Sequence, residues 1–201
     1  RTGDARTLLT TARSAISAMM DLGDPAERLA LNREYVQLAE ALGDSCECMR
    51  GYMRRTGDAM ELGDAATMDH ATDQSDTLAE RLGLPHYQWT AAALRVMRAT
   101  TRGEFSAAEV ALSRARQLSE RAQDSNAPLT LLMQQIALAE HRGEETELRE
   151  LFTRFQRQCE DLPQSDVYLR PEMLAIPVRT RRELPDLRGI EAAYVPPVIQ
   201  V

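Results

Sequence analysis

Arg102-Gly103-Glu104-Phe105-Ser106-Ala107-Ala108-Glu109 decides the fold, because this stretch recurs. Forty residues before Gly103 stands Gly63, in Leu62-Gly63-Asp64-Ala65, and forty before that stands Gly23, in Leu22-Gly23-Asp24-Pro25. Forty after it comes Gly143, in Arg142-Gly143-Glu144-Glu145. A second register keeps the interval through Leu38-Ala39-Glu40-Ala41-Leu42-Gly43-Asp44, Leu78-Ala79-Glu80-Arg81-Leu82-Gly83 and Leu118-Ser119-Glu120-Arg121-Ala122-Gln123-Asp124. Two registers held over several cycles mark an internal repeat.

Between the glycines the apolar residues fall at helical spacing. Pro85 opens a helix carrying Trp89, Ala92, Ala93, Val96 and Ala99; after the Gly103 turn the returning helix presents Phe105, Ala108, Leu112, Ala115 and Leu118. Small residues on such stripes let helices approach closely. The opposite face holds Ser113, Arg114, Arg116, Gln117 and Glu120. Earlier cycles follow the same plan. A helix is expected over 5–21 with Gly23 as its stop, and Asp24-Pro25-Ala26-Glu27 opens the next with Asp as cap, Pro in the first turn and Glu completing a capping box. That helix ends at Gly43, and Asp44-Ser45 supplies the following cap. Residues 46–62 are helical by propensity, weakened by Gly51 and Gly57 at roughly 1 kcal/mol each against Ala.

The helix from Asp64 to Leu82 carries Asp69, Asp73 and Asp76 on one face, expected to be solvated. Asn126 caps a later helix that is apolar on nearly every side, from Leu129 to Leu138, as in a helix buried between neighbours. Its return partner is expected over 145–160. Beyond Pro163 the repeat fails. Glu183 stands where a glycine is due, and Pro171, Pro177, Pro185, Pro196 and Pro197 forbid long helices. A short helix near Asp166–Ile176 and an extended apolar end, Tyr194–Val201, packed on the array are expected there.

Composition narrows the classes of function. The 201 residues are 43% hydrophobic, 27% charged and 4% aromatic, a range suited to a water-exposed helical domain. A net charge of −7 argues against a nucleic-acid surface, despite Arg54-Arg55 and Arg179-Thr180-Arg181-Arg182. Every basic residue is Arg. Three cysteines form no disulfide framework, which points to a reducing, cytoplasmic setting, and Cys46-Glu47-Cys48 lacks metal-ligand spacing. No apolar run reaches membrane-spanning length. The first residue is Arg1, which suggests a piece of a longer protein.

A helix–turn–helix unit with a glycine between its helices and Ala five residues on, as in Gly103 and Ala108 with Leu112 and Ala115, resembles the tetratricopeptide repeat. His86-Tyr87-Gln88-Trp89-Thr90-Ala91-Ala92-Ala93-Leu94-Arg95-Val96-Met97-Arg98, followed by Arg102–Glu109, is similar to the helical repeat region of large bacterial signalling ATPases. Those include LuxR-type activators of the maltose-activator kind and related fused cyclases and kinases. The resemblance spans about residues 5–160. It implies an all-α fold: an α-solenoid of about four tetratricopeptide-like repeats over residues 1–162, with an irregular, Pro-rich segment over 163–201.

It also implies a non-catalytic domain of a larger signalling or transcription regulator. Such a domain binds a peptide, a protein domain or a small effector in its concave groove, without direct contact to nucleic acid or membrane. Thr90, Ala93, Met97, Arg98 and Thr101 would face that groove, as would Arg50 and Arg54 one repeat earlier. Arg50, Arg54 and Arg98 would hold a carboxylate or acidic peptide. The alternative is a homo-oligomerisation scaffold. An enzyme with a spatially assembled site ranks below both, since His70, His86 and His141 stand apart and no nucleophile or phosphate-binding motif accompanies them. No cofactor and no metal are expected.

Overall fold

The computed structural model describes residues 4–19 and 24–160, and among these it is entirely helical. The helices are α1 (Ala5–Ala18), α2 (Pro25–Ala41), α3 (Ser45–Glu61), α4 (Ala65–Leu82), α5 (Pro85–Thr101), α6 (Phe105–Ala122), α7 (Ala127–Arg142) and α8 (Glu145–Glu160). None of them is long and apolar enough to cross a membrane. The chain divides into two compact units, Arg1–Arg142 and Gly143–Val201, so α8 belongs to the second.

The repeat sets the punctuation. N-cap positions fall at Asp4, Asp24, Asp44, Asp64, Leu84 and Glu104, one every twenty residues. Left-handed residues keep the same step at Gly43, Gly63, Gly83, Gly103, Gln123 and Gly143. The two forty-residue registers thus interleave, and the structural unit is one helix with its cap and its stop. The four Asp caps accept hydrogen bonds from the backbone N–H groups of Arg6, Ala26, Glu47 and Thr67, satisfying donors that the first turn leaves orphaned. Gln123 holds φ at 50°, a conformation that glycine adopts without steric cost.

Within the first unit each helix packs on the next, and α5 packs also on α3 and α7. Helices α2 and α3 run antiparallel, as the polar contacts between them show. Arg28, in the first turn of α2, reaches Asp58 (2.8 Å) and Glu61 (2.6 Å) at the end of α3. The core is a series of clusters. One joins Leu9 and Ile16 of α1 to Tyr35, Val36, Met49 and Leu78 across α2–α4. A second holds Trp89, Val96, Leu112, Ala115 and Leu131 from α5–α7, and a third joins Ala99, Ala108 and Leu138. Ala108 and Ala115 are fully buried and let α6 lie close to its partners, as the stripe predicts.

Gly51 is no weakness in α3. A Cβ there would meet Val36 Cγ2 at 2.4 Å and the Tyr35 ring at 3.1 Å, so the missing side chain is what lets α2 approach. The acidic face of α4 departs from expectation. Asp76 pairs with Arg95 (2.6 Å), Asp73 with Arg98 (2.7 Å) and Asp69 with Arg102. Steps of three and four residues up α5 match the same steps down α4, so the carboxylates zip two antiparallel helices instead of facing solvent alone.

The second unit is described only through α8. Leu148, Leu151 and Phe155 are buried along one side of it, and Glu145 pairs with Arg149 one turn on (2.7 Å). The Gly23 stop, the helix near 166–176, the extended end at 194–201 and the whole of the expected 163–201 segment lie outside the described residues.

Candidate functional site

The residues expected in a groove are distributed among several places. Thr90 is buried and its hydroxyl donates to the His86 carbonyl (2.9 Å). Met97 is half-buried. Thr101 bonds the Met97 carbonyl (3.1 Å) and borders a small cavity with Met60, Met68 and Arg102. Arg98 is held by Asp73 and faces a groove between α5 and α6 of about 560 Å³. That groove also contains Glu104, and its Arg95 is held by Asp76, so much of its positive charge is already answered. Trp89 lies in the core, packed with Val96 and Leu112.

Arg50 and Arg54 come together elsewhere, in a cavity of about 200 Å³ between α1, α2 and α3. Arg13 joins them from α1 and Asn32 from α2; Ile16 and Met53 supply an apolar wall, with Ser17 and Tyr35 completing it. None of the described lining residues is acidic. Behind the wall stands Glu47. Its carboxylate accepts from Arg13 (3.0 Å) and from the Tyr35 hydroxyl, and Arg50 lies 3.8 Å away. One carboxylate therefore orders two guanidinium groups at a rim that carries three. Such groups recognise planar anions through paired N–H donors.

The electrostatics keep this frame fixed. Burial, reinforced by the Glu47 contact, pushes the Tyr35 phenol far above its ordinary range, so it stays a hydrogen-bond donor. Hydrogen bonding to Tyr87 raises Arg50 further, tying this rim to α5. Tyr52, bonded to Glu40 (2.8 Å), is pushed up to about 12, chiefly by burial.

Asn32 is the anomaly. It is fully buried, it borders the cavity, and neither its amide oxygen nor its amide nitrogen has a hydrogen-bond partner. An unsatisfied buried amide costs about 1–3 kcal/mol, so a helix that needed only stability would carry Leu or Ala here. Sequence reasoning missed Asn32 and Arg13. A signal for Asn32 was present: Leu29, Asn32, Val36 and Ala39 fall at helical spacing on the buried side of α2, and the amide interrupts their apolar run. Arg13 gave no such signal, because α1 carries an exposed arginine, Arg6, as well.

The described residues contain no group of three His, Cys, Asp or Glu able to hold a metal ion. No family model, no curated protein and no solved structure matches this chain.

Proposed function

We propose that this chain is a non-catalytic binding module. In this reading it is a solenoid of tetratricopeptide-like helix pairs, working in the cytoplasm as the ligand-receiving part of a larger bacterial signalling or transcription regulator. The twenty-residue helix unit and the added contacts of α5 with α3 and α7 support the solenoid, since repeats of this kind touch mainly their neighbours in sequence. The ligand enters the α1–α3 cavity. The observation that carries the reading is the unpartnered Asn32 amide on the wall of a cavity rimmed by Arg13, Arg50 and Arg54. Polar groups left unsatisfied inside a pocket are the usual means of orienting a ligand there. Self-association has only scattered exposed apolar residues behind it, such as Leu8, Leu84 and Val110.

A thermal-shift screen of the full chain against small anions, neutral metabolites and short peptides tests this. Expected is a stabilising ligand whose effect disappears in Arg50→Glu/Arg54→Glu, with the helical circular dichroism of that variant unchanged. A ligand that stabilises the double variant equally would move the site elsewhere. A screen with no stabilising compound would contradict the reading.

A further inference from the structure

Resting on that binding reading, the geometry points to the ligand's chemistry: a carboxylate carried beside an amide and a short apolar group, as in an N-acyl amino acid or the free C-terminal residue of a peptide. Three features of one cavity meet these three parts. Arg13, Arg50 and Arg54 line the cavity and offer guanidinium N–H donors to a carboxylate, while Glu47 holds Arg13 in place (3.0 Å). The Asn32 oxygen accepts from an amide N–H, and its nitrogen donates to the amide carbonyl, a paired contact that only a group with both functions satisfies. Ile16 and Met53 cover a small aliphatic side chain.

Size limits the choice. At about 200 Å³ the space is below that of a drug-sized pocket, roughly 300 Å³ or more, and suits a single residue rather than an aromatic cofactor or nucleotide. Charge excludes cations, because no described lining residue is acidic. Simple inorganic anions leave Asn32 and the apolar wall without partners. A site whose buried polar groups expect hydrogen bonds discriminates strongly against a ligand that lacks them.

Isothermal titration of the full chain with N-acetyl-L-leucine, N-acetyl-L-leucinamide, acetate and the peptide Gly-Ser-Gly-Ser-Ala-Leu tests the assignment. N-Acetyl-L-leucine is expected to bind at least about tenfold more tightly than its carboxamide or than acetate. Arg54→Gln and Asn32→Leu are each expected to lose about tenfold or more. The peptide separates the two sources of the same chemistry. Tighter binding than the free acid assigns the site to a chain end, and no binding assigns it to a small free acid. Equal affinities for acid and carboxamide, or unchanged binding in both variants, would overturn the proposal, as would a crystal soaked with N-acetyl-L-leucine that shows only an ordered water on Asn32. If N-acetyl-L-leucine fails while another compound still stabilises the chain through Arg50 and Arg54, this ligand class falls and the binding reading stands. If nothing stabilises it, both fall.

Discussion

Gly51 and Gly57 lie in the same helix, α3, and meet opposite surroundings. Each lowers helix propensity by about 1 kcal/mol against Ala, yet only at Gly51 does the neighbouring helix come close enough to require it. A Cβ at Gly57 meets nothing within 4 Å. Gly57→Ala is therefore expected to stabilise the protein by about 0.5–1 kcal/mol. Gly51→Ala is expected to destabilise it by about 1–3 kcal/mol, since Val36 and Tyr35 would have to move. Urea unfolding of both variants measures the difference; a loss of stability in Gly57→Ala would show that α3 depends on its flexibility. Sequence alone treats these residues identically, because propensity is local and the approach of α2 is not. The same blindness hides the exchange at Gln123: its place in the repeat is visible from Leu118 onward, but its left-handed backbone is not.

At the scale of helix pairs, ion pairs of similar length do different things. Arg28 and Asp58 are almost wholly withdrawn from water, with side chains 4% and 10% exposed. Arg98 and Asp73 meet at 2.7 Å with the carboxylate 67% exposed. Removing one partner of a buried pair strands a charge in a poor solvent, whereas an exposed pair gives little net stability. Asp58→Ala is expected to cost about 3 kcal/mol, with Glu61 still holding the other arm of Arg28. Asp73→Ala is expected to cost less than about 0.5 kcal/mol. Equal costs in denaturant titrations would show that the α4–α5 ladder, not the buried pair, carries the electrostatic stability. The ladder's register was legible in the spacing of Asp69, Asp73 and Asp76, but its partners were not. Arg98 reads as ligand-facing, and nothing in the sequence pairs Arg95, Arg98 or Arg102 with an aspartate until α5 is folded back onto α4.

For the molecule as a whole, the helices were written in the glycines and the cap residues, which act within a few residues of themselves. The cavity was not. It is assembled from Arg13, Asn32 and Arg50, residues separated by one helix each, and its position depends on how α1 and α3 lean on α2. Two of its three arginines, Arg50 and Arg54, were found from the resemblance to repeat proteins. Arg13 and Asn32 were not, although Asn32 stands among the buried residues of α2. Asn32 is the point where stability and binding part company: an amide with no partner weakens the unliganded fold, and a ligand that satisfies it recovers that loss.

Thermal unfolding of the full chain and of Asn32→Leu, each with and without N-acetyl-L-leucine, tests this most directly. Without ligand, Asn32→Leu is expected to melt at or above the temperature of the parent chain, because it removes two unsatisfied polar atoms from the core. With ligand, the parent is expected to rise and the variant to stay where it was. A lower melting temperature for Asn32→Leu without ligand, together with equal ligand-induced shifts in both proteins, would contradict the account, for Asn32 would then be a structural residue and the cavity would not be where this protein binds.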